Sequence, residues 1–305
     1  MLKFIVKRLG LAILVALTVS FISFILLYLS GDPAAALAGE GATDKDVHAI
    51  RELYGFDRPV LVQYVSWLLN ALSGDFGESY YFKLPVASLL AERLSVTMLL
   101  GLCGISFALL TAVPLGVMAA IRPNSLIDRI ALFLSVAGQA LPSFWFGLIL
   151  IVVFAIKLQW LPVSGSGSWQ HFIMPTIVLG YYAMPAIMRL TRAGMLEVLS
   201  SDYIRTARAK GAPEGVVMFK HALRNAIIPV VSLAAVQMGF MLGGSIVVES
   251  IFALHGAGYL AWESISRNDL PTVQALILVF SMFYIVFTFL ADVLNAWLDP
   301  RMRSS

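Results

Sequence analysis

The sequence predicts an all-α polytopic membrane protein with six transmembrane helices, and three observations carry that prediction. Hydrophobic residues make up 59% of the 305 and charged residues 13%, about half the quarter typical of a soluble domain, and mean hydropathy is +0.86. Apolar stretches long enough to cross a bilayer recur along the chain. One polar, basic island, residues 202–229, interrupts them and carries the grammar of two short helices broken at a glycine.

Lys3, Lys7 and Arg8 precede an apolar run over residues 9–30. Those 22 residues would rise ~33 Å as a helix, enough for a ~30 Å hydrocarbon core. Ala36-Leu37-Ala38 looks like a signal-peptide cleavage site, but the run exceeds the ~7–15 residues of such a peptide. Residues 1–30 therefore read as an uncleaved anchor helix.

Residues 31–93 turn polar, with Gly31-Asp32-Pro33, a charged helix near 44–54, an amphipathic stretch near 61–72 and a turn at Gly74-Asp75-Phe76-Gly77. This pattern suits a compact extracytoplasmic subdomain. Residues 94–297 form the transmembrane core, with five further spans at about 95–121, 127–156, 172–188, 227–248 and 273–297. Gln139 and Pro142 sit inside the long second of these, where a kink is expected. Frequent Gly, Ala and Ser suit close helix packing in lipid. Residues 298–305 make a short tail.

Six spans put both termini on one side, and Lys and Arg set which side that is. Fourteen of them, seven within residues 189–224, fall on the side of the termini, and seven fall on the other. The basic island and both termini are thus cytoplasmic, and residues 31–93 face outward. Trp160, Trp169 and Trp262 fall where interfacial aromatics belong.

Within the island, Ser200, Ser201 and Asp202 offer side-chain oxygens to the first N–H groups of a helix from about Tyr203. Gly211 ends it, and Pro213 with Glu214 opens a second. Tyr203, Ala207 and Gly211 fall four apart on one face, small enough for another surface to approach, with Arg205, Arg208 and Lys210 around it. A solvated basic loop is the plainer reading of such a segment; the helix–glycine–helix pattern favours a docking elbow.

No Gly-x-x-x-x-Gly-Lys-[Ser/Thr] loop occurs, so the chain does not hydrolyse nucleotide through a P-loop. Gly165-Ser166-Gly167 is a Gly/Ser turn, not a nucleophile elbow. The four histidines lack metal-ligand spacing, one cysteine, Cys103, excludes an internal disulfide, and a net charge of +3 argues against nucleic acid. No catalytic or metal site is expected. Arg189, Arg192, Glu249 and Asp292 are the ionisable groups near membrane depth. Each lies near a span end, where snorkelling favours an anchoring role. Gln139, Pro142, Arg189 and Glu249 are the candidates for a translocation path or gate.

The island resembles the coupling segment of permease subunits of ATP-driven (ABC) importers, which reads Glu-Ala-Ala, three residues, Gly, and later Ile-x-Leu-Pro. Arg205-Thr206-Ala207, Gly211 and Ile227-Ile228-Pro229 match it, without the Glu and with longer spacing to the proline. Both departures resemble the dipeptide/oligopeptide/nickel branch. Gly55-Phe56-Asp57-Arg58-Pro59, Trp160-Leu161-Pro162, Gly256-Ala257-Gly258, Arg267-Asn268-Asp269-Leu270-Pro271 and Asp299-Pro300-Arg301 are similar to it too, while His255 stands where that branch usually has proline.

The resemblance implies a type I ABC importer fold in a prokaryotic inner membrane. It implies a second homologous permease, two cytoplasmic ATPase subunits and an extracytoplasmic solute-binding protein, with membrane lipid around them. ATP and Mg would be bound on the partner subunits, with no cofactor on this chain, which is not itself an enzyme. Tyr203, Arg205, Thr206, Ala207, Arg208, Ala209 and Gly211 would dock the ATPase. Di- or oligopeptides lead as substrate, with nickel, a metal chelate or glutathione as alternatives. An ion-coupled secondary transporter is the alternative of a different class, and it would need buried acidic groups or inverted repeats.

Overall fold

In a computed structural model the described residues are 2–29, 31–39 and 41–298. Ser30, the Asp299-Pro300-Arg301 motif, Arg303 and the tail beyond residue 298 lie outside them.

The anchor is one helix, α1 (Leu2–Leu29). Three shorter helices follow in the segment expected to face outward: α2 (Pro33–Ala38), α3 (Asp44–Tyr54) and α4 (Val60–Leu72). Asp32 caps α2 by accepting from the Ala34 N–H at 3.0 Å, and it pairs with Arg51 of α3. Thr43 and Asp46 cap α3 reciprocally, and the Thr43 hydroxyl and N–H hold the Asp46 carboxyl below the usual carboxylate range.

α5 (Val86–Ile121) is 36 residues long and begins nine residues before the expected span. Its first turns carry Glu92 and Arg93, which obscured them in the hydropathy. Val86, Leu89 and Leu90 nevertheless bury there against Leu260 and Leu276. The next expected span is two helices, α6 (Leu126–Ala140) and α7 (Ser143–Leu150), the latter running on as a π-helical segment over Ile151–Lys157. They meet at 106°, a corner and not a kink. Pro142 has no N–H to give, and it holds Leu141 in extended backbone (ψ 121°), so the helix cannot pass through.

α8 (Ile173–Leu199), led in by a 3₁₀ turn at Trp169–Phe172, continues eleven residues past the expected end at 188. The two arginines that suggested a loop, Arg189 and Arg192, are paired against α6 and stay inside the helix. α5 and α8 pack backbone to backbone. A Cβ on Gly180 would lie 2.5 Å from the Gly104 carbonyl oxygen, and one on Gly116 would lie 2.8 Å from that of Met188. Small residues at these crossings make that approach possible.

The island itself is α9 (Asp202–Ala209), α10 (Glu214–Val216), a π-helical segment over Val217–Leu223, and α11 (Arg224–Ala226). α12 (Ile228–Phe252), the short α13 (Ala257–Ser266) and α14 (Leu270–Leu298) complete the chain. The main core lies between α5, α7, α8 and α12. α14 returns beside α1 in the opposite direction, where Arg8 and Asp292 pair at 3.0 Å. Among the described residues five helices are long and apolar enough to cross a membrane, and six spans result when the cornered pair is taken as one.

α13 is absent from the sequence expectations. It sits in the connection between the last two spans, buried through Ala257, Gly258, Leu260, Ala261 and Ser264. Asp269, fully buried just before α14, accepts from Thr272 (2.7 Å), from the Ser79 hydroxyl (2.6 Å) and from the Tyr80 N–H (2.8 Å). The outer loop near residue 80 is thereby fastened to the start of α14.

Candidate functional site

The island folds as an elbow. α9 stops at a left-handed Gly211 (φ +77°), where the Ala212 N–H donates to the Ala207 carbonyl at 3.2 Å and the Gly211 N–H to that of Arg208 at 2.9 Å. That is a Schellman closure, which glycine adopts without steric cost. Pro213 precedes α10 as its cap residue. The Arg208 guanidinium spans the two arms, donating to Glu214 at 2.8 Å. The Asn225 side-chain amide donates to the Tyr203 hydroxyl at 2.8 Å. Both arms are therefore fixed relative to one another.

The serines work in the opposite sense to the expected one. Ser200 Oγ donates to the Glu197 carbonyl (2.8 Å) and Ser201 Oγ to that of Val198 (2.5 Å). α8 ends only two residues before α9 begins, so its orphan carbonyls compete for the same hydroxyls and take them. Asp202 pairs with Arg205 one turn on.

Tyr203, Arg205, Thr206, Arg208, Ala209, Lys210 and Gly211 are exposed. Ala207 is not part of that open face, for it turns inward beside Ile204. Ile204 is fully buried among Val117 and Ala120 of α5, Met195 of α8, and Val217, Ala222 and Ala226 of the second arm. It is the anchor of the elbow, and sequence reasoning missed it. The signal was there: Ile204 is the one large aliphatic side chain in α9. The arrangement presents a braced, basic, exposed knuckle whose root lies in the ends of two core helices.

The other candidates separate into two clusters. Near the same end of the bundle, Arg189 donates to Gln139 (3.0 Å) and to Ser135 (3.2 Å). One helical turn on, Arg192 meets Asp128 with two bonds of 2.7 and 2.8 Å. Asp128 also accepts from the Asn124 N–H at 2.8 Å. Asp128 was overlooked, although Ser125-x-x-Asp128 is a helix-start signature. Pro142 lies at the adjacent corner. With Asp128 2% exposed and Arg192 22%, removing the acid strands a half-buried guanidinium. Asp128→Ala is expected to cost about 3 kcal/mol, seen as a lowered melting temperature in detergent, with partial recovery in Asp128→Ala/Arg192→Met. An unchanged melting temperature in the single variant would count against the pair's structural weight.

Glu249 is far from these. It was expected near a span end with access to the interface, yet its side chain is completely buried. Thr97 Oγ donates to it at 2.7 Å and the Tyr259 N–H at 2.8 Å, while Thr97 accepts from the Ala257 N–H at 2.8 Å. The carboxylate sits on the N-terminus of α13, where donors are unpaired and the dipole is positive. A Cβ on Gly256 would meet that carboxylate and lie 2.6 Å from Thr97 Oγ, so the glycine there makes room for the cap. His255 stacks edge-on against Tyr259 at 5.1 Å, and the loop before α13 accommodates it.

Among the described residues no three His, Cys, Asp or Glu side chains come together in a way that could hold a metal.

The chain matches two family models, the binding-protein-dependent transport system inner membrane component over residues 112–304 and its N-terminal companion over residues 1–101. It is 41% identical over 304 residues to the glutathione transport system permease protein GsiC of Escherichia coli K12, covering 99% of each chain. The GsiC of Shigella flexneri serotype 5b gives the same figures. Among solved structures, the inward-facing MetNI methionine ABC transporter superposes with a TM-score of 0.58 at 19% identity, over 69% of this chain and 96% of that one. That likeness establishes the fold, a type I ABC importer permease. The chain belongs to the binding-protein-dependent transport family, as a multi-pass inner-membrane permease subunit of an ABC importer.

Proposed function

We propose that this subunit imports a small peptide, with glutathione as the leading substrate, and that the elbow is where a cytoplasmic ATPase docks. The substrate reading rests on one observation, the 41% identity to glutathione permeases over 99% of both chains. Di- and oligopeptides share the amide linkages and free carboxylate of glutathione and follow closely, with nickel or a metal chelate as the rival cargo. A second permease, two ATPases and a solute-binding protein complete the assembly.

The elbow reading is supported by its build. Tyr203, Arg205, Thr206, Arg208, Ala209 and Gly211 offer the open surface, while Ile204 and Ala207 root it on α5 and α8. ATP binding changes the separation of the two ATPases, and a docked knuckle follows them. Ligand-driven change of this kind requires contacts that differ between the two states, and a rigid, braced knuckle delivers such a difference to the helices it roots in.

The test is ATP-driven uptake by the reconstituted assembly in proteoliposomes. Labelled glutathione is expected to accumulate only with ATP and the binding protein, with excess unlabelled glutathione competing strongly and nickel not at all. Accumulation of a dipeptide or of nickel, without glutathione uptake, overturns the substrate reading. Uptake driven by an ion gradient in the absence of ATPases overturns the docking reading as well.

A further inference from the structure

We propose that α4 is immersed in the outer leaflet of the bilayer, with Leu61, Val65, Leu69 and Leu72 against lipid acyl chains. On this reading it does not stand in water with the rest of residues 31–93.

The first ground is depth. Arg8 pairs with Asp292 where α1 and α14 reach the basic, cytoplasmic side. Ser20 lies twelve residues further along α1, about 18 Å up the helix axis. A ~30 Å hydrocarbon core then leaves Ser20 about 12 Å below the outer boundary. At that level the Tyr64 hydroxyl of α4 bonds to Ser20 Oγ at 2.8 Å and donates to the Leu17 carbonyl at 3.4 Å. Tyr64 also meets Phe21 and Phe24 of α1 edge-on, with ring centres 5.1 and 5.6 Å apart. A tyrosine side chain is too short to make these contacts from a helix in the aqueous phase.

The second ground is the division of faces. α4 has no charged residue in its thirteen. Gln63, Ser66, Trp67 and Asn70, at helical spacings of three and four, line a cavity of about 420 Å³ that Phe24 and Gln274 help to close. Tyr64 and Trp67 turn to α1. The remaining face carries Leu61, Val65, Leu69 and Leu72, which are 66%, 51%, 61% and 77% exposed. An uncharged helix with a polar face toward an open cavity and an aliphatic face away from it fits a leaflet boundary. α1, against which α4 packs through Tyr64, likewise exposes Leu14, Leu17, Ile22 and Leu26. The lipid that bathes α1 therefore reaches α4 as well. A second permease is the other possible cover for the stripe, and the experiment separates the two.

Val65→Cys and Leu69→Cys, each made in a Cys103→Ser background, are labelled with bimane. The complete importer is then placed in nanodiscs of brominated or ordinary phosphatidylcholine. Both positions are expected to lose several-fold emission in brominated lipid and to ignore aqueous iodide. Glu52→Cys on α3 serves as the aqueous control and is expected to respond to iodide alone. Iodide quenching at 65 and 69 equal to that at 52 overturns the proposal. So does indifference to both quenchers, which means that protein covers the stripe. Retained ATP-driven uptake by each labelled complex guards against misfolding, and Leu61→Cys supplies a third position.

Discussion

Gly211→Val is expected to abolish ATP-driven uptake and to release the ATPases from the detergent-solubilised complex, while leaving the chain in the membrane. Gly211 sits at φ +77°, a conformation a β-branched residue avoids. The strain is of order 1–3 kcal/mol, enough to open the Schellman turn but small beside the stability of the helical core. Among the described residues nothing beyond its own chain neighbours lies within 4 Å of a Cβ at that position, so bulk there projects into open space, which on the docking reading an ATPase fills. Gly211→Trp probes that space, and Gly211→Asn probes the backbone, since asparagine tolerates the left-handed region. If the backbone turn alone matters, Asn keeps most of the activity and Val none. If close approach matters, Asn and Val both fail and Trp fails most. Wild-type ATPase retention in Gly211→Val and Gly211→Trp alike would reduce the elbow to a loop.

Glu249→Ala is expected to be the most damaging single change in the transmembrane core. It strands the buried Thr97 hydroxyl and the part-buried Tyr259 N–H, at about 1–3 kcal/mol for each unsatisfied donor. It also leaves the first turn of α13 without the side chain that caps it. The expected readout is a sharp fall in melting temperature in detergent, with α13 becoming accessible to protease or to amide exchange. Glu249→Gln is expected to lie between the two, because its one amide oxygen replaces only one of the two acceptors. A Glu249→Ala chain that melts with wild type would show that α13 does not depend on this cap.

The fold class was legible from hydropathy because lipid leaves helices few alternatives, and the elbow was legible because Gly211 and Pro213 are local, strong punctuation. What was hidden depends on partners distant in sequence. Arg189 and Arg192 looked like loop charges because Gln139, Ser135 and Asp128 lie on another helix, fifty to sixty-four residues away. Glu249 looked interfacial because nothing near it in sequence announces Thr97 or the start of α13. Pro142 signalled a break in the helix, but the angle of 106° is fixed by the packing of α6 on α8 and α7 on α12. Ile204 was passed over because a lone aliphatic residue in a basic helix draws less notice than the charges beside it.

The backbone contact between α5 and α8 has a mechanical meaning. With the Gly104 and Met188 carbonyls lodged against Gly180 and Gly116, and the Phe107, Leu179 and Thr191 side chains packed at the same crossings, the two helices interlock. On the docking reading the two would move as one lever with the elbow as its handle, because Ile204 is clasped by the ends of both. A 36-residue helix is about 54 Å long, so a swing of roughly 5° about one end carries the other about 5 Å. A small stroke on the cytoplasmic side thus arrives outside as a displacement comparable to the width of a peptide backbone.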